Sequence, residues 1–231
     1  MSELTSAEWT AILLSLRVAV IATLVATPFG IALAWLLARY NFWGKSALDA
    51  LVHLPLVLPP VVTGYLLLLT LGRRGLIGAW LADNLGIVFA FRWTGAALAC
   101  GVMSFPLLVR PIRLSIEAID RRLEQAASTL GAAPWKVFAT VTLPLALPGI
   151  LAGMVLGFAK AIGEFGATIT FVSNIPGETQ VISSAIYSLI QTPDGDAAAM
   201  RLFIISIIIA TAALIGSEWF ARRATQRLHG N

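Results

Sequence analysis

The stretch Ala11-Ile-Leu-Leu-Ser-Leu-Arg17-Val-Ala-Val-Ile-Ala-Thr-Leu-Val-Ala-Thr-Pro28-Phe-Gly-Ile-Ala-Leu-Ala-Trp-Leu-Leu37 decides the fold. A helix of roughly 20 apolar residues covers a hydrocarbon core about 30 Å thick, and this run is longer, with Arg17 its one charge. Near one end, the arginine's stem can lie along apolar surface while its head reaches water. The run exceeds the apolar region of a secretory leader, and Glu3 and Glu8 precede it where a leader carries basic residues. It reads as a membrane span.

Four more spans follow by the same test. The second, Ala50–Leu71, is uncharged, with His53, Pro55, Pro59 and Pro60 crowded at its start. The third, Thr94–Ile116, carries Pro106, Arg110, Pro111 and Arg113 in its last part, and the fourth, Pro148–Ser173, carries Lys160 and Glu164. The fifth is Met200–Phe220. Gly75–Phe91 is broken by Asp83, Asn84 and glycines and reads as an external loop with a short helix. Thr179–Gln191 groups Val181, Ile182, Ile186, Leu189 and Ile190 on one helical face. Too short to cross alone, it fits an interfacial or re-entrant helix. The expectation is an all-α polytopic membrane bundle of about five transmembrane helices, in one domain over residues 1–231.

Composition agrees. Charged residues make up 12% and mean hydropathy is +0.85, whereas a soluble domain carries roughly 25% charge to cover its surface. The net charge of +4 is scattered, without the basic stripe of a nucleic-acid binder. With the N-terminus outside, Arg39, Lys45, Arg121, Arg122, Lys136, Arg222, Arg223 and Arg227 fall inside, against Arg73, Arg74, Arg92 and Arg201 outside. That bias predicts an external N-terminus and a cytoplasmic C-terminus. The lone Cys100 excludes a disulfide framework. Gly44-Lys45-Ser46 ends like a phosphate-binding loop, but Arg39 stands where the loop needs glycine. No enzymatic constellation, cofactor or metal set is expected.

Two patterns stand out. Leu54–Pro59 and Leu143–Pro148 both read L-P-L-x-L-P, each where a helix enters the membrane, a position that suits proline's missing N–H. Lys160 and Glu164, four residues apart, share a helix face. Charges at that depth face a partner, water or the bundle interior. They either line a path or hold helices together, as a mutual pair or through Arg110 and Arg113.

The longest polar segment predicted inside, about residues 117–144, carries the functional signal. Leu123, Ala126, Ala127 and Leu130 recur at helical spacing, Gly131 can cap the helix, and Pro134 can start the next. The segment resembles the E-A-A-x3-G-x9-I-x-L-P coupling loop of ABC importer permeases. Gln125, Ala126, Ala127, Gly131, Val141, Leu143 and Pro144 take its fixed positions; Gln125 replaces the glutamate, with Glu124 immediately before it. The resemblance implies a type I importer permease in which this loop docks on a separate cytoplasmic ATP-binding subunit.

The whole chain is similar to the molybdate permeases of that family. His53-Leu-Pro-Leu-Val-Leu-Pro-Pro60, Thr63-Gly64-Tyr65 and Met103-Ser-Phe-Pro106 carry the likeness, with Gly163-Glu-Phe-Gly-Ala-Thr-Ile-Thr-Phe-Val-Ser-Asn-Ile-Pro-Gly-Glu-Thr179 the most specific stretch. It implies a homodimer in the bacterial inner membrane, ATPase subunits inside, and an extracytoplasmic oxyanion-binding protein. Molybdate is a dianion that an ionised Glu164 would repel. Thr168, Thr170, Ser173 and Asn174, with backbone N–H groups around Gly163 and Gly166, are the expected pathway contacts, and Glu164 a shaping or gating residue. Tungstate or sulfate are alternative cargoes; a membrane scaffold is the alternative of another class.

Overall fold

The computed structural model describes residues 4–229, with backbone only at residue 214 and from 217 onward. Glu3 and the side chains of Arg222, Arg223 and Arg227 lie outside this description. Every regular element among the described residues is helical.

The first apolar run sits in α1, Ser6–Arg39. Thr5 starts it: the Glu8 N–H donates to Thr5 Oγ1 at 3.2 Å and the Thr5 N–H to Glu8 Oε2 at 2.7 Å, satisfying two orphan donors reciprocally. Its 34 residues span ~51 Å at ~1.5 Å per residue, well beyond one bilayer core. Arg17 finds a partner within the bundle, stacking 3.8 Å from the centroid of the Trp93 ring.

The second expected span is not continuous. It divides into α2, Lys45–Val57, and α3, Pro60–Leu71, whose axes meet at 115°. Pro60 lacks an N–H to continue the ladder and clashes with the preceding turn, so the chain bends at Leu58-Pro59. Residues 75–91 form α4, Leu76–Leu85, closed by Gly86 in the left-handed region. The third expected span is α5, Trp93–Glu117.

After α5 come α6, Arg121–Thr129, the short α7, Pro134–Val137, a π-helical turn over Phe138–Thr142, and α8, Leu143–Ile162. The fourth expected span, Pro148–Ser173, is therefore corrected. Its helix begins earlier, bends by 68° at Ala146, and ends at Ile162. Gly163-Glu164-Phe165 interrupts it before α9, Gly166–Val172. Both L-P-L-x-L-P copies thus lie at helix bends, so their resemblance reflects local geometry. The chain finishes with α10, Ile182–Leu189, and α11, Asp196–His229. Among the described residues α1, α5 and the Asp196–Ala213 part of α11 are single helices long and apolar enough to cross; the two bent pairs bring the number to five.

The core forms around α5. Ala96, Ala97, Cys100 and Met103 pack with Val18 and Ala22 of α1 and with Phe171 and Val172 of α9. Farther along, Leu108, Val109 and Ile112 meet Ala34 of α1 and Ile150 of α8. The α5–α8 contact is close because Gly149, Gly153 and Gly157 form a small-residue row at four-residue spacing. A Cβ on Gly153 would lie 2.5 Å from the Leu108 carbonyl oxygen. In lipid, such backbone proximity is a main source of helix association. A third cluster joins Ala11 and Ile12 of α1, Ile182 and Ala185 of α10, and Leu202 of α11. The short helix α10 is therefore anchored by its apolar face, although Ile190, expected on that face, is exposed.

Candidate functional site

The polar loop builds a protruding surface. Asp120 caps α6 by accepting the Arg122 N–H at 2.9 Å. At the other end Gly131 takes φ +84°; the Ala132 N–H reaches the Ala127 carbonyl at 3.2 Å and the Gly131 N–H that of Ser128 at 3.0 Å. These two bonds close a Schellman turn, for which glycine carries no Cβ penalty. Pro134 then occupies the first turn of α7. No residue of α6 is buried. Gln125 and Ala126 face outward beside the exposed Leu123, Leu130 and Trp135. Ala127 is half-buried.

The remaining coupling-loop positions point elsewhere. Val141 lies in the π turn, and Leu143 and Pro144 begin α8, all three partly buried at the root of that helix. Glu124 turns inward. Its Oε1 accepts from Arg39 Nε at 3.1 Å and Nη2 at 3.0 Å, and from the Thr142 hydroxyl at 2.6 Å. Arg39 and Thr142 were not legible as partners, being separated from Glu124 by 85 and 18 residues.

The second region is the break after α8. Glu164, 1% exposed, joins Lys160 at 2.8 Å and accepts the Ala167 N–H at 3.0 Å. It thus supplies a cap for α9 and a charge partner for Lys160. Of the pairings considered from the sequence, the mutual Lys160–Glu164 pair is formed; Arg113 pairs instead with Asp49 and Glu117. The Ser183 hydroxyl donates to the Glu164 carbonyl at 2.8 Å, tying α10 to the break.

Three of the expected side-chain donors, on Thr168, Thr170 and Asn174, are engaged within the chain. The Thr168 hydroxyl donates to the Phe165 carbonyl at 2.8 Å and that of Thr170 to Gly166 at 2.8 Å. Asn174 Nδ2 donates to Ser188 Oγ at 2.6 Å, while its buried Oδ1 has no protein partner. Ser173 adopts φ +65° and its carbonyl accepts from Thr179. Gly163 is exposed and Gly166 half-buried.

Sequence reasoning overlooked what α9 packs against. Gly64 of α3 lies on Ala167: a Cβ there would stand 2.5 Å from the Ala167 carbonyl oxygen and 2.8 Å from its Cα. A Cβ on Gly166 would be 2.7 Å from Pro60 Cβ. Two half-helices, each beginning at a break, therefore cross backbone to backbone. Next to the crossing, Thr63 Oγ1 is buried without a protein partner. Glycine four residues from the Pro60 helix start, and glycine opening α9, were the available signals.

Broken helices that cross backbone to backbone, and between α5 and α8 a loop that presents an unburied helix, suit the membrane-embedded component of a transporter. The chain belongs to the family of binding-protein-dependent transport system inner membrane components, whose family model matches residues 26–227. It is 62% identical over 224 residues to the molybdenum transport system permease protein ModB of Escherichia coli K12, covering 97% of this chain and 98% of that one. The Haemophilus influenzae protein of the same description is 58% identical, covering 96% of each chain. The sulfate transport system permease protein CysT of Escherichia coli K12 is 38% identical over 85% of this chain and 70% of its own. In fold, the chain is similar to a bacterial ABC transporter involved in alginate import, with a TM-score of 0.75 at 20% identity, covering 95% of this chain and 80% of that one.

Proposed function

We propose that this chain is the molybdate-specific permease subunit of an ATP-driven importer, acting as a homodimer in the bacterial inner membrane. The carrying observation is the 62% identity along nearly the whole of both chains to a molybdenum permease, against 38% to a sulfate permease. The chain has no phosphate-binding loop in its sequence, so hydrolysis is assigned to separate cytoplasmic ATPase subunits. The exposed face of α6 around Gln125 and Ala126 is their docking surface, which the shape and solvent exposure of the loop support. An extracytoplasmic binding protein delivers the oxyanion on the opposite side.

The path is assigned to the α3–α9 crossing and the break before it, with Gly163, Gly166, Thr168, Thr170, Ser173 and Asn174 as its lining. A dianion in this setting needs neutral donors that bind weakly enough to release it. Threonine hydroxyls now bonded to backbone carbonyls can rotate toward such a ligand at the loss of one modest hydrogen bond each. Glu164 is assigned to shaping this path, through its cap on α9 and its pair with Lys160, and not to touching the anion. ATP binding would draw the ATPases together, displace α6 and turn the path outward; hydrolysis would reset it.

The test is ATP-dependent uptake by the reconstituted complex, with molybdate, tungstate and sulfate in competition. Preferential molybdate uptake is expected. Equal transport of the three, or of none, refutes the assignment.

A further inference from the structure

How could a displacement of the exposed helix α6 reach the bundle, given that none of its residues is fully buried? Its extensive contacts are with its sequence neighbours, α7 and the π turn, and it has no buried residue. Among the described residues α6 therefore has little apolar packing of its own through which a displacement could reach the distant helices. Polar contacts do reach them. Glu124 Oε1 is held simultaneously by the guanidinium of Arg39, at the last residue of α1, and by the hydroxyl of Thr142, immediately before α8. The same guanidinium donates to the Ile119 carbonyl at 3.4 Å, ahead of α6. Trp35 of α1 packs edge-on against Phe138 of the π turn, with ring centroids 5.3 Å apart.

The setting favours a firm link. The side chains of Arg39 and Glu124 are 9% and 18% exposed, so the pair is poorly screened by salt. Both its hydrogen-bond donors address an ionised acceptor, the stronger class of hydrogen bond. Thr142 belongs to a π turn, a local irregularity in the helical ladder that recurs at functional sites. The turn also adjoins the 68° bend at the start of α8, which is where a pull on Thr142 would redirect that helix.

The geometry points to Glu124 as a positioning residue that transmits movement of α6 to α1 and α8, and not as a contact for the ATPase. The adjacent Gln125 and Ala126 face outward, while the Glu124 carboxylate faces its own chain, so the surface and the link are distinct functions of one short helix. This inference rests on the permease reading above. It predicts a specific defect on breaking the link: ATPase subunits bind and hydrolyse ATP, but each hydrolysis delivers less substrate.

The experiment uses the full complex in proteoliposomes with molybdate as substrate, comparing wild type, Glu124→Gln and Thr142→Val. Co-purification of the ATPase subunits, ATP hydrolysis and uptake are measured on each preparation. Glu124→Gln is expected to retain its ATPase subunits and lower uptake per ATP at least fivefold. Thr142→Val, which removes one hydrogen bond at near-constant volume, is expected to lower it at least twofold. An unchanged ratio in Glu124→Gln overturns the inference, as does loss of ATPase binding by an otherwise folded permease, which would make Glu124 a docking contact. If Glu124→Gln does not yield a folded permease, Thr142→Val decides by the same ratio. Absence of uptake by the wild-type complex overturns the permease reading itself, whereas wild-type uptake with unaltered ratios overturns the transmission role alone.

Discussion

Gly64→Ala adds a single methyl group, yet the structure leaves no room for it. The new Cβ would stand 2.5 Å from the Ala167 carbonyl oxygen, 2.8 Å from its Cα and 3.0 Å from its carbonyl carbon. Relaxed contacts between such atoms begin near ~3.5 Å, so α3 and α9 must separate by about 1 Å. The obstructing atoms are backbone, and no side-chain rotation relieves them. Inserting volume into a packed site costs about 1–3 kcal/mol, and this one should lie at the upper end. Gly101→Ala in α5 is the matched control. Its nearest neighbours would be 3.8 and 4.0 Å away, an ordinary contact, and alanine favours the helix by up to about 1 kcal/mol. Thermal unfolding in detergent and uptake in vesicles are the assays. Gly64→Ala should unfold at lower temperature and lose at least tenfold in uptake, with Gly101→Ala close to wild type in both. Wild-type uptake and stability in Gly64→Ala would refute the claim that the two half-helices meet backbone to backbone.

The other expectations concern α6 and the break after α8. Ala126→Arg, on the exposed face, should reduce recovery of the ATPase subunits at least tenfold while changing the permease's own stability by less than about 0.5 kcal/mol, as surface substitutions do; pull-down and unfolding check it. Gly131→Ala meets no atom within 4 Å, so its cost is left-handed backbone strain alone, about 1 kcal/mol, read as a weakened but not abolished ATPase association. Lys160→Met leaves the buried Glu164 without its cation and should destabilise by roughly 1–3 kcal/mol, less than a fully buried pair because Lys160 is partly exposed. Adding Glu164→Gln to it should recover most of that loss; a double variant as unstable as the sum of the singles would argue against the pair.

Crossing a membrane is a matter of composition over one continuous segment, and the runs in α1, α5 and α11 announce it without reference to any other part of the chain. The same holds for α6, because its cap residue Asp120, its small-residue face and Gly131 lie within a dozen positions and act through local hydrogen bonds. The prolines of L-P-L-x-L-P were visible too, but hydropathy registers neither the bend at Leu58-Pro59 nor the break at residues 163–165, so the second and fourth spans read as continuous. Lys160 and Glu164 could be placed on one face from their spacing, and their pairing is local as well.

What tertiary structure alone decided is where segments meet. Gly64 has no feature in its own neighbourhood that singles out Ala167, and Glu124 none that selects Arg39 over the other arginines. The inward turn of Glu124, one residue from the outward Gln125, depends on α1 and the π turn being brought beside α6 by the packing of α5, α1 and α8. Sequence periodicity reports which face of a helix is apolar or polar; it carries no information about which distant surface will cover that face. That choice is made by the shape of the assembled bundle, and in this protein it separates the exposed surface of α6 from the carboxylate that holds that helix to its own chain.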